Sequence, residues 1–87
     1  MAKQFTSKEA KEIGEKLGVD WSKFDIEQFT MGLNAELEHG SRDPKTNVTH
    51  DDPRMTGKIA LAHLNELLDY YTRLDKLEEE AKMATAT

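Results

Sequence analysis

The chain contains no cysteine, only two prolines and five glycines, and few aromatic residues among its 87 residues. The lack of cysteine excludes disulfide bonds, thiolate metal ligands and cysteine nucleophiles. No apolar run approaches the roughly 20 residues that a membrane-spanning helix needs, and we see no secretion signal. We therefore expect a cytoplasmic protein that makes no contact with a membrane.

Charged residues make up 33% of the sequence and hydrophobic residues 37%, which is typical of a small helical protein with a thin core. The formal net charge is −5, and the basic residues are scattered rather than gathered on one predicted helix face. Since polyanion binding depends on clustered Lys and Arg, a nucleic acid is an unlikely partner.

Start and stop signals divide the chain into three predicted helices within one domain, residues 1–87. Thr6 and Glu9 form a capping-box pattern, and Gly18 suits the end of a first helix over about 7–17. Asp25 is a natural first residue for a second helix, about 26–39, which ends at Gly40. Residues 40–52 form a polar loop. The fold class predicted is all-α, a three-helix domain with a long C-terminal helix.

The third predicted helix covers about 53–82 and organises the rest of the chain. Asp51 and Asp52 supply capping carboxylates, and Pro53 fits the first turn, where its missing N–H costs nothing. At about 100° per residue, its apolar stripe is centred on Leu67 and contains His63. A second copy of the chain could pair with its C-terminal part through a seam, formed by Tyr71, Leu74 and Leu77.

One polar set has residue types that could hold a divalent metal: Glu36, His39, His63 and Glu66. Imidazoles and carboxylates from facing helices are the ligands from which helical bundles build metal centres. Antiparallel packing of the second and third predicted helices would bring Glu36 towards His63. The alternative is a buried histidine–glutamate hydrogen-bonded pair, completed by Tyr70 or Tyr71, which fixes the helix register.

A second set, His50-Asp51-Asp52, could also hold a cation, although helix capping explains its two carboxylates equally well. We expect the acidic run 78–80 to be a solvated helix face or an acidic patch for a partner. No serine has a plausible triad setting, and no glycine-rich phosphate loop is present. An enzyme is therefore not the favoured class, and we expect no cofactor other than the candidate metal.

Several segments resemble a family of short helical proteins of unknown function from bacteria, archaea and phages. The resemblance covers roughly residues 5–81 and includes Glu-Leu-Glu-His-Gly at 36–40, Thr-Asn-Val-Thr at 46–49, and Asp-Tyr-Tyr-Thr-Arg-Leu at 69–74. It implies a small helical domain without an assigned activity. The family pattern has a proline where this chain has Leu68, and that difference favours an unbroken third helix here.

The sequence thus predicts a small acidic helical protein-interaction module, of phage or bacterial origin, that binds an unknown protein partner or a second copy of itself. The alternative prediction is a metal-binding helical domain that uses the His and Glu ligands above. A mimic of polyanion charge ranks last, because a net charge of −5 is modest for that role.

Overall fold

The computed structural model describes residues 4–85 and contains four α-helices there. They are α1 (Ser7–Leu17), α2 (Ile26–Glu36), α3 (Pro53–Glu66) and α4 (Tyr70–Thr85), with a short 3₁₀ helix, Leu37–His39, directly after α2. The described part of the chain has no β-strand, so the predicted all-α class is confirmed. The predicted third helix, however, is two helices.

Local capping explains where α1 and α2 begin. The Thr6 side chain accepts a hydrogen bond from the Glu9 amide, and the Glu9 carboxylate accepts one from the Thr6 amide, so two of the free amide donors at the start of the helix are satisfied. Gly18 ends α1 with φ of 78°, a left-handed conformation that suits glycine. The Asp25 carboxylate caps α2 at the Glu27 amide.

Helices α2 and α3 lie side by side and run in the same sense. Phe29 lies against Gly57, and Gly32 lies against Ala60. The hydrogen bond between Glu36 and His63 continues this order, since both residues lie near the C-terminal ends of their helices. The prediction that antiparallel packing brings Glu36 to His63 was therefore wrong in direction, although the two residues do meet.

The loop over residues 40–52 returns the chain to the start of α2, which parallel packing requires. The 11 residues of α2 rise about 16 Å, a distance that about a dozen extended residues cross easily. The His39 carbonyl accepts hydrogen bonds from the amides of Val48 and Thr49. The Asp51 carboxylate accepts one from the Ser41 amide, and His50 and Asp51 both have positive φ. The length of this loop thus follows from the topology.

The helix is interrupted between α3 and α4, so the predicted uninterrupted helix over 53–82 was wrong. Leu67 is extended, with φ of −154° and ψ of 111°. In a straight helix His63 and Tyr71 would be separated by about 12 Å along the axis. The His63 Nδ1 and the Tyr71 hydroxyl are 3.0 Å apart instead. This interruption brings both the His63 ring and the Tyr71 hydroxyl to Glu36. It forms although position 68 holds leucine rather than the proline of the family pattern.

The core lies where α1, α3 and α4 pack onto α2. Its buried hydrophobic residues come from all four helices and the segments before α1 and α2: Phe5, Ala10, Phe24, Phe29, Leu33, Ala60, Leu64 and Tyr71. Leu67, the predicted centre of the apolar stripe, is 41% exposed because the chain leaves the helix there. Tyr71 is 1% exposed and cannot contribute to a seam between two copies, whereas Leu77 is exposed.

None of the helices formed by residues 4–85 combines the length and the apolar character that crossing a bilayer requires.

The break makes a prediction for Leu68→Pro. The Leu68 amide makes no hydrogen bond within residues 4–85, and the extended Leu67 is compatible with a following proline. We expect Leu68→Pro to change the free energy of unfolding by about 1 kcal/mol or less, as measured by urea denaturation. In the control Ala62→Pro, inside α3, the loss should be about 3 kcal/mol or more. A similar loss in both variants would contradict the break.

Gly32 allows α2 to approach α3 and α4 closely. A Cβ atom there would lie 2.5 Å from a ring carbon of Tyr71 and 2.9 Å from the Ala60 Cβ. Those distances are too short for van der Waals contact, so a methyl group would force the helices apart.

We therefore expect Gly32→Ala to lower the free energy of unfolding by about 1–3 kcal/mol, although alanine is the better helix former. The control is Asn65→Ala at an exposed position of α3, which should be close to neutral. Thermal and urea unfolding measure both variants. Stabilisation by Gly32→Ala would show that the helices are not in close contact.

Candidate functional site

A buried carboxylate, Glu36, lies at the end of α2 and joins three helices. Its side chain is 5% exposed. The Oε2 atom accepts a hydrogen bond from the Tyr71 hydroxyl at 2.7 Å and lies 3.1 Å from the His63 Nδ1. Burying a carboxylate is costly unless donors compensate for the lost water, and these two side chains supply them. The predicted histidine–glutamate pair is therefore present, and Tyr71 completes it.

The His63 Nδ1 lies within hydrogen-bond distance of both the Glu36 Oε2 and the Tyr71 hydroxyl. An ionised carboxylate only accepts, so the tautomer that bonds to it carries its hydrogen on Nδ1. The His63 Nε2 then has no hydrogen-bond partner within residues 4–85. No serine or threonine hydroxyl within that part of the chain bonds to His63. Among the described residues, the hydroxyl that His63 contacts is that of Tyr71, which donates to Glu36.

Burial raises the pKa of Tyr71 above that of an ordinary tyrosine, and the carboxylate of Glu36 raises it further. Both causes disfavour a phenolate, the first because it would lose its hydration and the second because two negative charges would meet. Tyr71 therefore remains a hydrogen-bond donor to Glu36 at pH values at which an exposed tyrosine ionises.

Two further rings surround the cluster. The Tyr70 ring stacks on the His63 ring, with centroids 4.5 Å apart and planes 3° apart. The His39 Nε2 lies 3.7 Å from the Glu36 Oε1, which is longer than a hydrogen bond, and the His39 side chain is 57% exposed. The Oε1 atom accepts no hydrogen bond within residues 4–85. Glu36 therefore keeps one oxygen available on the side facing His39.

An open groove of about 650 Å³ lies above this oxygen, and we call it the acidic groove. One wall is the end of α2 with the 3₁₀ helix, and the other is α4. Its apolar lining comes from Met31, Ala35 and Leu74, and its lining carboxylates are Glu36, Glu38, Asp75 and Glu78; Asn34, His39, His63 and Tyr70 complete it. Of the described residues, no lysine or arginine lines the groove.

The acidic groove therefore combines negative charge with an apolar wall. Glu38 is partly neutralised by Arg42, whose Nη1 lies 3.7 Å from the Glu38 Oε1, but both side chains are more than half exposed. Exposed ion pairs of this kind contribute little interaction free energy. Glu36 differs, because a carboxylate that is nearly buried interacts with an incoming charge through less water.

The structure brings three of the four predicted metal ligands together and leaves the fourth apart. Glu36, His39 and His63 line the acidic groove, whereas Glu66 is exposed and does not. Within residues 4–85, no group of three or more His, Asp or Glu residues is arranged to hold a metal ion. The metal site stays a prediction, and this geometry adds no support to it.

The second predicted cation set, His50-Asp51-Asp52, is divided among separate local partners. Asp52 caps α3 by accepting hydrogen bonds from the amides of Arg54 and Met55. Asp51 holds the amide of Ser41, and the His50 amide donates to the Asn47 side chain. Capping and loop closure explain these residues.

Most groove residues were not among the predicted site residues, and Tyr70, Asp75 and Glu78 are examples. Tyr70 was considered only as an alternative hydrogen-bond partner, and Glu78 only as part of an acidic run. Positions i, i+1 and i+4 border one helix face, so the spacing of Leu74, Asp75 and Glu78 weakly indicates that they share a surface. Their role depends on α4 bending back over α2, which no local pattern indicates.

These features define a small all-α domain in which a buried Glu-His-Tyr cluster lies at the base of an acidic groove. Residues 10–80 match the family model described as "Protein of unknown function (DUF5661)", and the chain belongs to this family. No curated protein matches the chain, and no solved structure does so either.

The raised pKa of Tyr71 predicts an alkaline loss of stability. In the unfolded chain Tyr71 ionises near pH 10, but in the folded chain it keeps its proton to a higher pH. Its contribution is therefore complete below about pH 10 and falls as pH rises beyond it, by up to about 1.4 kcal/mol per pH unit.

Urea unfolding at several pH values between 8 and 11.5 measures this slope. Tyr71→Phe should be less stable at pH 8 by about 1–3 kcal/mol, because Glu36 loses a donor, and should show a shallower alkaline decline. Tyr70→Phe leaves the cluster's hydroxyl in place and should keep the slope of the wild type. Equal slopes in all three proteins would contradict the buried position of the Tyr71 hydroxyl.

Proposed function

We propose that this domain is a non-enzymatic protein-interaction module and that the acidic groove is its docking surface. The observation that carries the proposal is the groove itself, which unites an apolar wall with four carboxylates above a rigid base. The hydrogen-bonding groups beneath it are used to hold the fold, since the Tyr71 hydroxyl and the His63 Nδ1 both contact Glu36.

The occupant that fits is a short segment of a partner protein that carries positive charge. A groove of about 650 Å³ is the size of a small-molecule site, so it fits a few side chains of a short segment rather than a whole protein face. Charge complementarity would guide the encounter, and the apolar wall would shelter the stems of long side chains. An interaction of this size should be micromolar and readily reversible.

Peptide display tests the proposal. A random peptide library is selected on the immobilised domain, and the enriched peptides are synthesised and measured calorimetrically against three proteins: the wild type, Ala35→Trp and Ala62→Trp. Ala35 lines the groove and Ala62 is an exposed residue of α3 outside it, so the two variants add the same bulk at different places. Circular dichroism confirms that each variant is folded.

We expect enriched peptides to bind the wild type with micromolar Kd, to bind Ala35→Trp at least tenfold more weakly, and to bind Ala62→Trp like the wild type. Failure to enrich any peptide, or equal binding to Ala35→Trp and the wild type, would refute the acidic groove as the docking surface.

A further inference from the structure

We infer that the acidic groove recognises an arginine side chain of its partner, and that the Glu36 Oε1 atom is the acceptor for the guanidinium group. This inference rests on the proposed function and specifies the chemistry of the segment that the groove receives.

The first argument is the state of Glu36. Its side chain is 5% exposed, its Oε2 contacts the Tyr71 hydroxyl and the His63 Nδ1, and its Oε1 lies 3.7 Å from the His39 Nε2. The Oε1 atom accepts no hydrogen bond within residues 4–85 and is not shut off from water, so it can accept one from a group that enters the open groove. A cationic donor also offsets the cost of burying the charge.

The second argument selects arginine over lysine. A guanidinium is less strongly hydrated than an ammonium, so it enters a partly desolvated site at lower cost. It is also planar, and it stacks on aromatic rings. Tyr70 lines the acidic groove beside Glu36, with its ring held parallel to that of His63. The groove thus offers an acceptor and an aromatic surface together.

The third argument concerns the rest of the groove. Asp75 and Glu78 on α4 face Glu36 and Glu38 across it, so the other donors of a guanidinium find carboxylates on either side. Met31, Ala35 and Leu74 give the three methylene groups of the arginine stem an apolar wall. No lysine or arginine among the described residues lines the groove to compete for these acceptors.

Three model compounds test the inference by NMR titration of ¹⁵N-labelled protein at low ionic strength: N-acetyl-arginine methylamide, its lysine counterpart, and its citrulline counterpart. Citrulline has the shape of arginine without the charge. We expect the arginine compound to shift amides within 34–39 and 70–78, the lysine compound to bind at least threefold more weakly, and the citrulline compound at least tenfold more weakly.

Variants assign the acceptor. Glu36→Gln should weaken the arginine compound at least tenfold, whereas Asp43→Asn, a loop carboxylate outside the groove, should leave its binding unchanged. Because Glu36→Gln disturbs the buried cluster, the double variant Asp75→Asn/Glu78→Gln provides a second test at exposed positions. It should weaken the arginine compound at least threefold without changing the fold, as judged from its spectrum.

Equal binding of the arginine and citrulline compounds, equal binding of arginine and lysine, or shifts outside the groove would each overturn the inference. Its failure is distinguishable from that of the proposed function. If peptides selected on the domain need an open groove but tolerate replacement of every arginine by citrulline, the docking surface stands and the arginine assignment falls. If no peptide is enriched, the proposed function falls first.

Discussion

The structure depends on one electrostatic requirement: a carboxylate that is almost fully buried must find hydrogen-bond donors. Glu36 obtains them from His63 on α3 and Tyr71 on α4, the two helices on either side of the interruption at Leu67. Loss of either donor would leave a buried charge poorly compensated, at a cost comparable to a large part of the stability of so small a domain. The position of α4 is therefore set by a polar contact as well as by apolar packing.

The same requirement shapes the surface. Since α4 must bend back for Tyr71 to reach Glu36, residues that follow Tyr71 by one turn or two come to face the end of α2. The acidic groove is the space left between these elements. Its base is held by the hydrogen bonds of the cluster and by the stacking of Tyr70 on His63, so the fold itself sets its shape. Under the proposed function, structural and recognition roles share one carboxylate, with one oxygen serving each.

The sequence predicted those parts of the fold that local chemistry decides. The capping box at Thr6, the glycine at the end of α1 and the proline at the start of α3 are signals within a few residues of the feature they specify. The break at Leu67 is different, because leucine and its neighbours are good helix formers and a distant contact overrides that preference. For the site, the meeting of Glu36 with His63 was predictable as a pairing of residue types. The parallel direction of α2 and α3 and the contribution of α4 to the groove were not, since they depend on how the long loop and the break redirect the chain.

The separation of the cluster along the chain has a kinetic consequence. The bonds from Glu36 to His63 and Tyr71 span 27 and 35 residues, a large fraction of an 87-residue protein. Helical turns form from neighbouring residues in about a microsecond, whereas such contacts require long loops to close and pay for that closure in chain entropy. We expect the helices to form early. The contacts of Glu36 with His63 and Tyr71 should form late, when α4 docks. In the reverse direction, undocking of α4 would be the first step by which the native chain opens, and it would expose Glu36 to water before the remaining three helices separate.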